Sequence, residues 1–192
     1  MAIGDGISSG ETSYKIDGIS YNDYLKEYFY TNKLLKHYNN DYSYKNYKIN
    51  DLLNDLNNKN YNKLNIQQTL NKANLITLSI GEEELVKLAI TEDLNTKEIK
   101  KFILNYDKLI SIIKELTDAK IFIIGFYENK YLEKSSVIIL NSELSNIANK
   151  YDSTFININD LLKNKDYYLD TKTYYFNYRG HKEIAEMIIN SL

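Results

Sequence analysis

The sequence contains no cysteine, no proline and no tryptophan, and it has a single arginine, Arg179. Without cysteine, disulfide bonds and a thiol nucleophile are excluded, but this absence assigns the protein to no compartment. The only histidines are His37 and His181, far apart in sequence, so we expect no zinc site or other metal site. The lysines are scattered and the formal net charge is −2, so no basic stripe suits a phosphate backbone and nucleic acid is not an expected partner.

Long apolar runs are also missing, and the sequence shows no transmembrane segment and no signal peptide. What is abundant is asparagine, lysine, isoleucine and tyrosine, with 19 tyrosines in 192 residues. This usage is typical of an AT-rich genome, for which we expect a bacterial source, and it is not itself a functional signal. The length predicts a single domain over residues 1–192.

The first strand is unusually short. Only Met1, Ala2 and Ile3 precede the turn at Gly4 and Asp5, whereas a buried parallel strand normally has about five or six residues. We therefore expect the natural protein to carry an upstream segment that completes this strand. A membrane anchor in that segment, and hence an extracytoplasmic location, is a further hypothesis that the full open reading frame would test.

Short apolar runs alternate with segments that have helical periodicity. The runs predict buried parallel strands at 74–80, 119–126 and 154–158, and a weaker strand near 35–42. Helical spacing is found at 21–31, 50–56, 66–73, 96–116, 135–151 and 179–192. This alternation predicts an α/β fold: a three-layer α/β/α sandwich, flavodoxin-like, with a parallel sheet of about five strands. Its ligand site should lie at the carboxyl ends of the strands, where Gly4–Gly10, Gly81–Glu84 and Asp170–Gly180 converge.

The stretch from Ala2 to Gly10 and the stretch from Tyr175 to His181 resemble the first and last signature blocks of the SGNH (GDSL-like) hydrolases. In that family the opening block reads Gly-Asp-Ser, with the serine as nucleophile, and the closing block Asp-x-x-His-Pro-Asn supplies the acid and the base. By this resemblance Gly6 replaces the nucleophile, Lys172 the acid and Tyr175 the base. Tyrosine, with an ordinary pKa near 10, is a poor base at neutral pH.

The two middle blocks provide the oxyanion hole in the family. Asn46 occupies the position of the second-block glycine, and asparagine tolerates a left-handed backbone, so its N–H donor is expected to be retained. Glu83 occupies the position of the third-block asparagine. A carboxylate there opposes an oxyanion that the amide would stabilise. Three consecutive glutamates also favour a helix N-terminus, which accounts for Glu82 and Glu84 without any catalytic role.

Other polar residues near these blocks have structural interpretations. Ser8 is expected to be a helix N-cap or turn residue. His181 is interpreted as a surface or helix-packing side chain and His37 as a solvated one. Asp170 lies two residues before the acid position, with no histidine to orient.

The resemblance thus implies the fold of a hydrolase without its catalytic side chains. We expect no catalytic residues and no cofactor, and a pocket lined by Asp5, Gly6, Ser8, Asn46, Glu83, Lys172 and Tyr175. The expected function is that of a binding or scaffolding module for a glycan, an acyl-bearing ligand or a protein partner. The alternative is an esterase or acylhydrolase with a relocated site, using Ser8 or Ser9 with Glu83 or Lys172 as an unconventional base. Use of Asp5 and Glu83 as paired glycosidase carboxylates is a more remote alternative.

Overall fold

The computed structural model describes residues 1–14, 16–57, 65–169 and 175–192. The strands are β1 (Ala2–Gly4), β2 (Tyr42–Ser43), β3 (Leu75–Ser79), β4 (Lys120–Ile124) and β5 (Thr154–Ile156). The helices are α1 (Gly6–Ser9), α2 (Tyr21–Thr31), α3 (Ile49–Asn57), α4 (Ile66–Lys72), α5 (Glu82–Ile90), α6 (Thr96–Leu116), α7 (Lys134–Lys150) and α8 (Tyr178–Ile189). Two short 3₁₀ helices cover Asn159–Lys163 and Lys165–Tyr167.

All strand pairs are parallel, and the sheet order is β2-β1-β3-β4-β5. Ile3 pairs with Leu78 and Leu78 pairs with Ile123, so the central strands are in continuous register. The order reverses between β1 and β3, and in such sheets ligands bind beyond the carboxyl ends of the strands at this switch point. The predicted α/β/α class with a five-stranded parallel sheet is confirmed.

The sheet separates two hydrophobic cores, because successive side chains of a strand point to opposite faces. Ile121 and Ile123 of β4 belong to the core that α3, α4, α6 and α7 cover. Phe122 and Ile124 belong to the other core, with α2 and α8. Among the described residues, no helix combines the length and the apolar character that a membrane span requires.

The strand predicted near 35–42 is misplaced. The structure has β2 at Tyr42–Ser43, and the chain from Leu34 to Asp41 is not a strand. The sheet edge open to this segment is β1, whose three residues pair with β2 only at Ile3 and Gly4. The Ala2 N–H also bonds to the Asn39 carbonyl at 2.8 Å, but regular pairing with β1 is limited to Tyr42 and Ser43.

Candidate functional site

The candidate site lies where β1 and β3 end side by side. Gly4 has φ +154, and a Cβ atom at this position would lie 1.9 Å from the carbonyl oxygen of Ser79. The next residue, Asp5, donates its backbone N–H to the same oxygen at 2.8 Å. Position 4 therefore requires glycine, because the ends of the two strands approach more closely than any side chain permits.

Asp5 connects the end of β1 to the start of α5. Its side chain is 1% exposed, and Oδ2 accepts hydrogen bonds from the backbone N–H groups of Gly81 at 2.9 Å and Glu82 at 3.0 Å. No described residue is a hydrogen-bond partner of the buried Oδ1. Burial raises the pKa of Asp5 well above its usual range, and the neighbouring charges of Glu82 and Glu83 raise it further. The sequence predicted Asp5 as a pocket residue, and the structure adds that it caps α5.

The space beside Gly6 is occupied by another carboxylate. A Cβ atom at position 6 would lie 2.6 Å from Oε2 of Glu11 and 3.3 Å from Oε1 of Glu83. Glu11 reaches this place because Gly10, with φ +80, ends α1 in a left-handed conformation and the Glu11 N–H bonds back to the Gly6 carbonyl at 2.8 Å. Sequence reasoning missed Glu11, although the glycine before it is a typical signal for a chain reversal of this kind.

Glu11, Glu82 and Glu83, together with Asp5, form what we call the acidic cleft. Oε1 of Glu83 is buried and has no hydrogen-bond partner among the described residues. Glu82 accepts hydrogen bonds from Asn129 Nδ2 at 3.0 Å and from the Tyr127 hydroxyl. Burial first, and the charges of Glu83 and Glu11 second, raise its pKa from 4.5 to about 7. The described residues nevertheless contain no group of three or more acidic, histidine or cysteine side chains arranged to hold a metal ion.

One lysine offsets part of this negative charge. Lys45 Nζ lies 3.7 Å from Oε1 of Glu11 and 3.3 Å from Oδ1 of Asp17. Burial raises the pKa of Glu11, and the charge of Lys45 opposes that shift. The third glutamate of the run, Glu84, points elsewhere: its Oε2 accepts the backbone N–H of Ile49 at 2.9 Å and so caps α3.

Neither serine after Gly6 has the surroundings of a nucleophile. Ser8 lies inside α1 and not at its N-cap, so the interpretation as a cap is wrong. Its side chain is buried, and Oγ accepts hydrogen bonds from Asn22 Nδ2 at 3.1 Å and Ser43 Oγ at 2.7 Å. The Ser9 hydroxyl donates to the carbonyl of Gly6 at 3.1 Å. No imidazole is among the partners of either hydroxyl in the described part of the chain.

The histidines lie elsewhere. His181 is 2% exposed, and its Nδ1 accepts the backbone N–H of Tyr21 at 3.2 Å, which joins α8 to α2. Burial lowers its pKa to about 4, so it stays neutral and structural. His37 is exposed in the loop after α2. The predicted packing role of His181 and the solvated state of His37 agree with these positions.

The remaining predicted site residues have mixed outcomes. Asn46 adopts the left-handed backbone that was inferred for it, with φ +59, and its side chain is exposed. Tyr175 is half-buried, and its pKa is raised to about 12, chiefly by burial and then by the charges of Glu11, Glu82 and Glu83. Its phenol therefore remains protonated beside the acidic cleft. Lys172 and Asp170 lie outside the described residues.

Comparisons with known proteins rest on structure alone. No family model matches the sequence, and no curated protein matches it significantly. A mutant of Axe2, an acetyl-xylooligosaccharide esterase from Geobacillus stearothermophilus, has a TM-score of 0.71 at 17% identity, covering 98% of this chain and 91% of the esterase. TesA has a TM-score of 0.72 at 11% identity, and the match covers 100% of this chain and 96% of TesA. A lipase/acylhydrolase from Enterococcus faecalis has a TM-score of 0.72 at 14% identity, with 99% and 92% covered.

These likenesses show the fold. The chain has the α/β/α architecture of these esterases and lipases over essentially its whole length.

Proposed function

We propose that this chain is a catalytically inactive domain with the SGNH hydrolase fold that serves as a binding or scaffolding module. The observation that carries the proposal is the contact at Gly6. At the position that resembles the nucleophile there is no hydroxyl, and the Glu11 carboxylate fills the adjoining space, 2.6 Å from where a Cβ atom would lie. Position 6 therefore has no nucleophile, and the Glu11 carboxylate occupies space that a side chain at this position would need.

The electrostatics of the acidic cleft support the same proposal. Acyl transfer needs hydrogen-bond donors around the oxygen that becomes negative in the transition state, and removal of one such donor typically costs about a hundredfold or more in rate. By the family resemblance Glu83 replaces the amide donor, and its Oε1, like Oε2 of Glu11, lies close to where a Cβ atom of residue 6 would be. Ionised carboxylates repel an oxyanion, so the cleft would raise the barrier that a hydrolase must lower.

The base is also missing from the described residues. The pKa of Tyr175, raised to about 12, makes its phenol a hydrogen-bond donor at neutral pH and not a proton acceptor. His181, the one buried imidazole of the chain, is bonded to the backbone of Tyr21 in the core. The described residues contain no hydrogen-bonded serine–histidine pair of the kind that esterases use.

We propose as its ligand a glycan, an acyl-bearing molecule or a protein partner. Carboxylates and carboxyl groups accept hydrogen bonds, and the half-buried phenol of Tyr175 adds apolar area with a polar tip. Such a cleft favours ligands that present hydroxyl or amide donors. A tightly bound anion is disfavoured by the same charges.

The alternative is an esterase with a relocated site, which the fold likeness to esterases favours. It would need Ser8 or Ser9 as nucleophile. Two observations weigh against it. Oγ of Ser8 is buried and already accepts two hydrogen bonds, and neither comes from an imidazole.

Hydrolysis of short-chain nitrophenyl esters separates the two functions. We expect the wild-type protein, Ser8→Ala and Ser9→Ala to give the same rate as buffer with an inert protein at equal concentration. Sustained turnover by the wild type that is lost in either serine variant, with the fold intact by circular dichroism, would reject the proposal in favour of the relocated esterase.

A further inference from the structure

A large cavity lies at the amino-terminal ends of β1 and β3, whereas the acidic cleft lies at their carboxyl ends. It has a volume of about 570 Å³, is partly open to solvent, and is lined by Met1, α2, the loop that follows α2, the end of α4 and the first half of β3. Sites for small organic ligands typically occupy about 300–1,000 Å³. Because Leu75 begins β3 whereas Gly81 follows its end, a ligand here would not touch Gly6 or Glu83.

Apolar side chains from three elements line this cavity, together with polar residues that include Asn39, Gln68 and Thr69. Leu25 and Phe29 come from α2, Leu34 and Leu35 from the following loop, and Leu75 from β3. Leu34 is 65% exposed, which extends the apolar surface to the mouth. Two polar residues of the wall satisfy each other, since the Thr77 hydroxyl donates to Oδ1 of Asn22 at 2.6 Å. The apolar side chains therefore offer a surface against which a hydrocarbon chain can pack, beside the polar residues of the wall.

The charged side chains that line the cavity are all of one sign. Lys26, Lys36 and Lys72 line it, and among the described residues no aspartate or glutamate does. The three lysines are exposed, and none of them forms an ion pair with a described carboxylate, unlike Lys45 at the acidic cleft. Lys26 instead lies over the ring of Tyr38, with Nζ 5.2 Å from the ring centre. An apolar interior with an unpaired cationic rim complements a molecule that has a hydrocarbon tail and an anionic head.

We propose that this cavity binds a single long-chain carboxylate, with the hydrocarbon chain inside and the carboxylate at the lysine rim. Chain burial supplies most of the affinity, since transfer of each methylene from water tightens the dissociation constant by about fourfold. The lysines select the anionic head and orient it toward solvent. The cavity is thus a second binding site, separate from the one in the proposed function.

Calorimetric titration with octanoate, decanoate and dodecanoate, each below its micelle concentration, tests the chain. We expect one saturable site per protein, with Kd falling by up to about fifteenfold for each two added methylenes until the cavity is full. Ala73→Phe, which places a ring in the cavity wall, should weaken dodecanoate binding at least tenfold. No saturable binding of dodecanoate, or binding unaffected by Ala73→Phe in the folded protein, would overturn the proposal.

The head group is tested by charge variants. Lys26→Gln, Lys36→Gln and Lys72→Gln combined should weaken dodecanoate binding about three- to tenfold, as expected for exposed charge pairs. The matched control combines the same substitution at three exposed lysines away from the cavity, Lys97, Lys108 and Lys134, and should leave Kd unchanged. Equal weakening in both triple variants, or binding of dodecanol as tight as that of dodecanoate, would contradict a carboxylate site. This set also does not depend on whether Ala73→Phe folds.

Discussion

Glu82→Gln should stabilise the protein in a manner that depends on pH. Glu82 is the carboxyl whose pKa is raised from 4.5 to about 7 by burial and by the neighbouring carboxylates. A shift of about 2.5 units corresponds to about 3 kcal/mol, at roughly 1.4 kcal/mol per unit. Below pH 4.5 the group is protonated in both the folded and the unfolded state, so it costs nothing. As the pH rises, the unfolded chain ionises first, and the stability contributed by the protonated group is lost progressively until the folded-state pKa near 7 is passed.

Glutamine keeps an amide oxygen that can accept from Asn129 Nδ2 but cannot ionise. We therefore expect the free energy of unfolding of Glu82→Gln to equal that of the wild type near pH 4.5 and to exceed it by up to about 3 kcal/mol at pH 8. Urea unfolding followed by far-ultraviolet circular dichroism at both pH values measures this difference. Glu115→Gln, the same change at an exposed helical position, is the control and should show no such difference. Equal stability of Glu82→Gln and wild type at pH 8 would refute the claim that ionised Glu82 is destabilised by burial and by the neighbouring carboxylates.

Three further substitutions test the packing around the cleft and the core. Gly6→Ser should give no ester turnover and only a small change in melting temperature, because the carboxylate in its way is the far end of a flexible side chain; a robust esterase from this single change would show that the other blocks are misassigned. Gly4→Ala should destabilise by at least about 3 kcal/mol in chemical unfolding, since its Cβ atom would lie 1.9 Å from the Ser79 oxygen, and a neutral result would contradict the close strand approach. His181→Ala should cost about 2–4 kcal/mol through lost packing and the unpaired backbone N–H of Tyr21, whereas a loss within experimental error would mean that this contact does not stabilise the fold.

The sequence predicted the fold where local signals and burial agree. The helix at 96–116 has the bounds that its periodicity predicted, because Asn95 caps its first turn by accepting from the N–H groups of Lys97 and Glu98. The central strands at 75–79 and 120–124 also fall within their predicted runs, since strands buried on both faces are continuously apolar. The edge strand β2 was misplaced because its position depends on where the chain comes alongside β1, which no local pattern encodes.

The candidate site was predictable only in part. Gly6 and Glu83 were identified because they interrupt blocks that resemble a known family. Glu11 was missed because its role arises from a chain reversal that brings its carboxylate back over Gly6, a contact between positions five residues apart that has no periodic signature. The function of Asp5 as a cap for α5 depends on the approach of β1 to β3, which follows from sheet topology and not from either segment alone.

The most direct test of the central claim is covalent labelling with a fluorophosphonate, which reacts with serine hydroxyls activated by a base. If the domain is inactive, the intact mass of the wild-type protein stays unchanged after prolonged incubation, while an active serine esterase treated in parallel gains one adduct per chain. A stoichiometric adduct that maps to Ser8 or Ser9 would contradict the account, because it would show an activated nucleophile beside the acidic cleft.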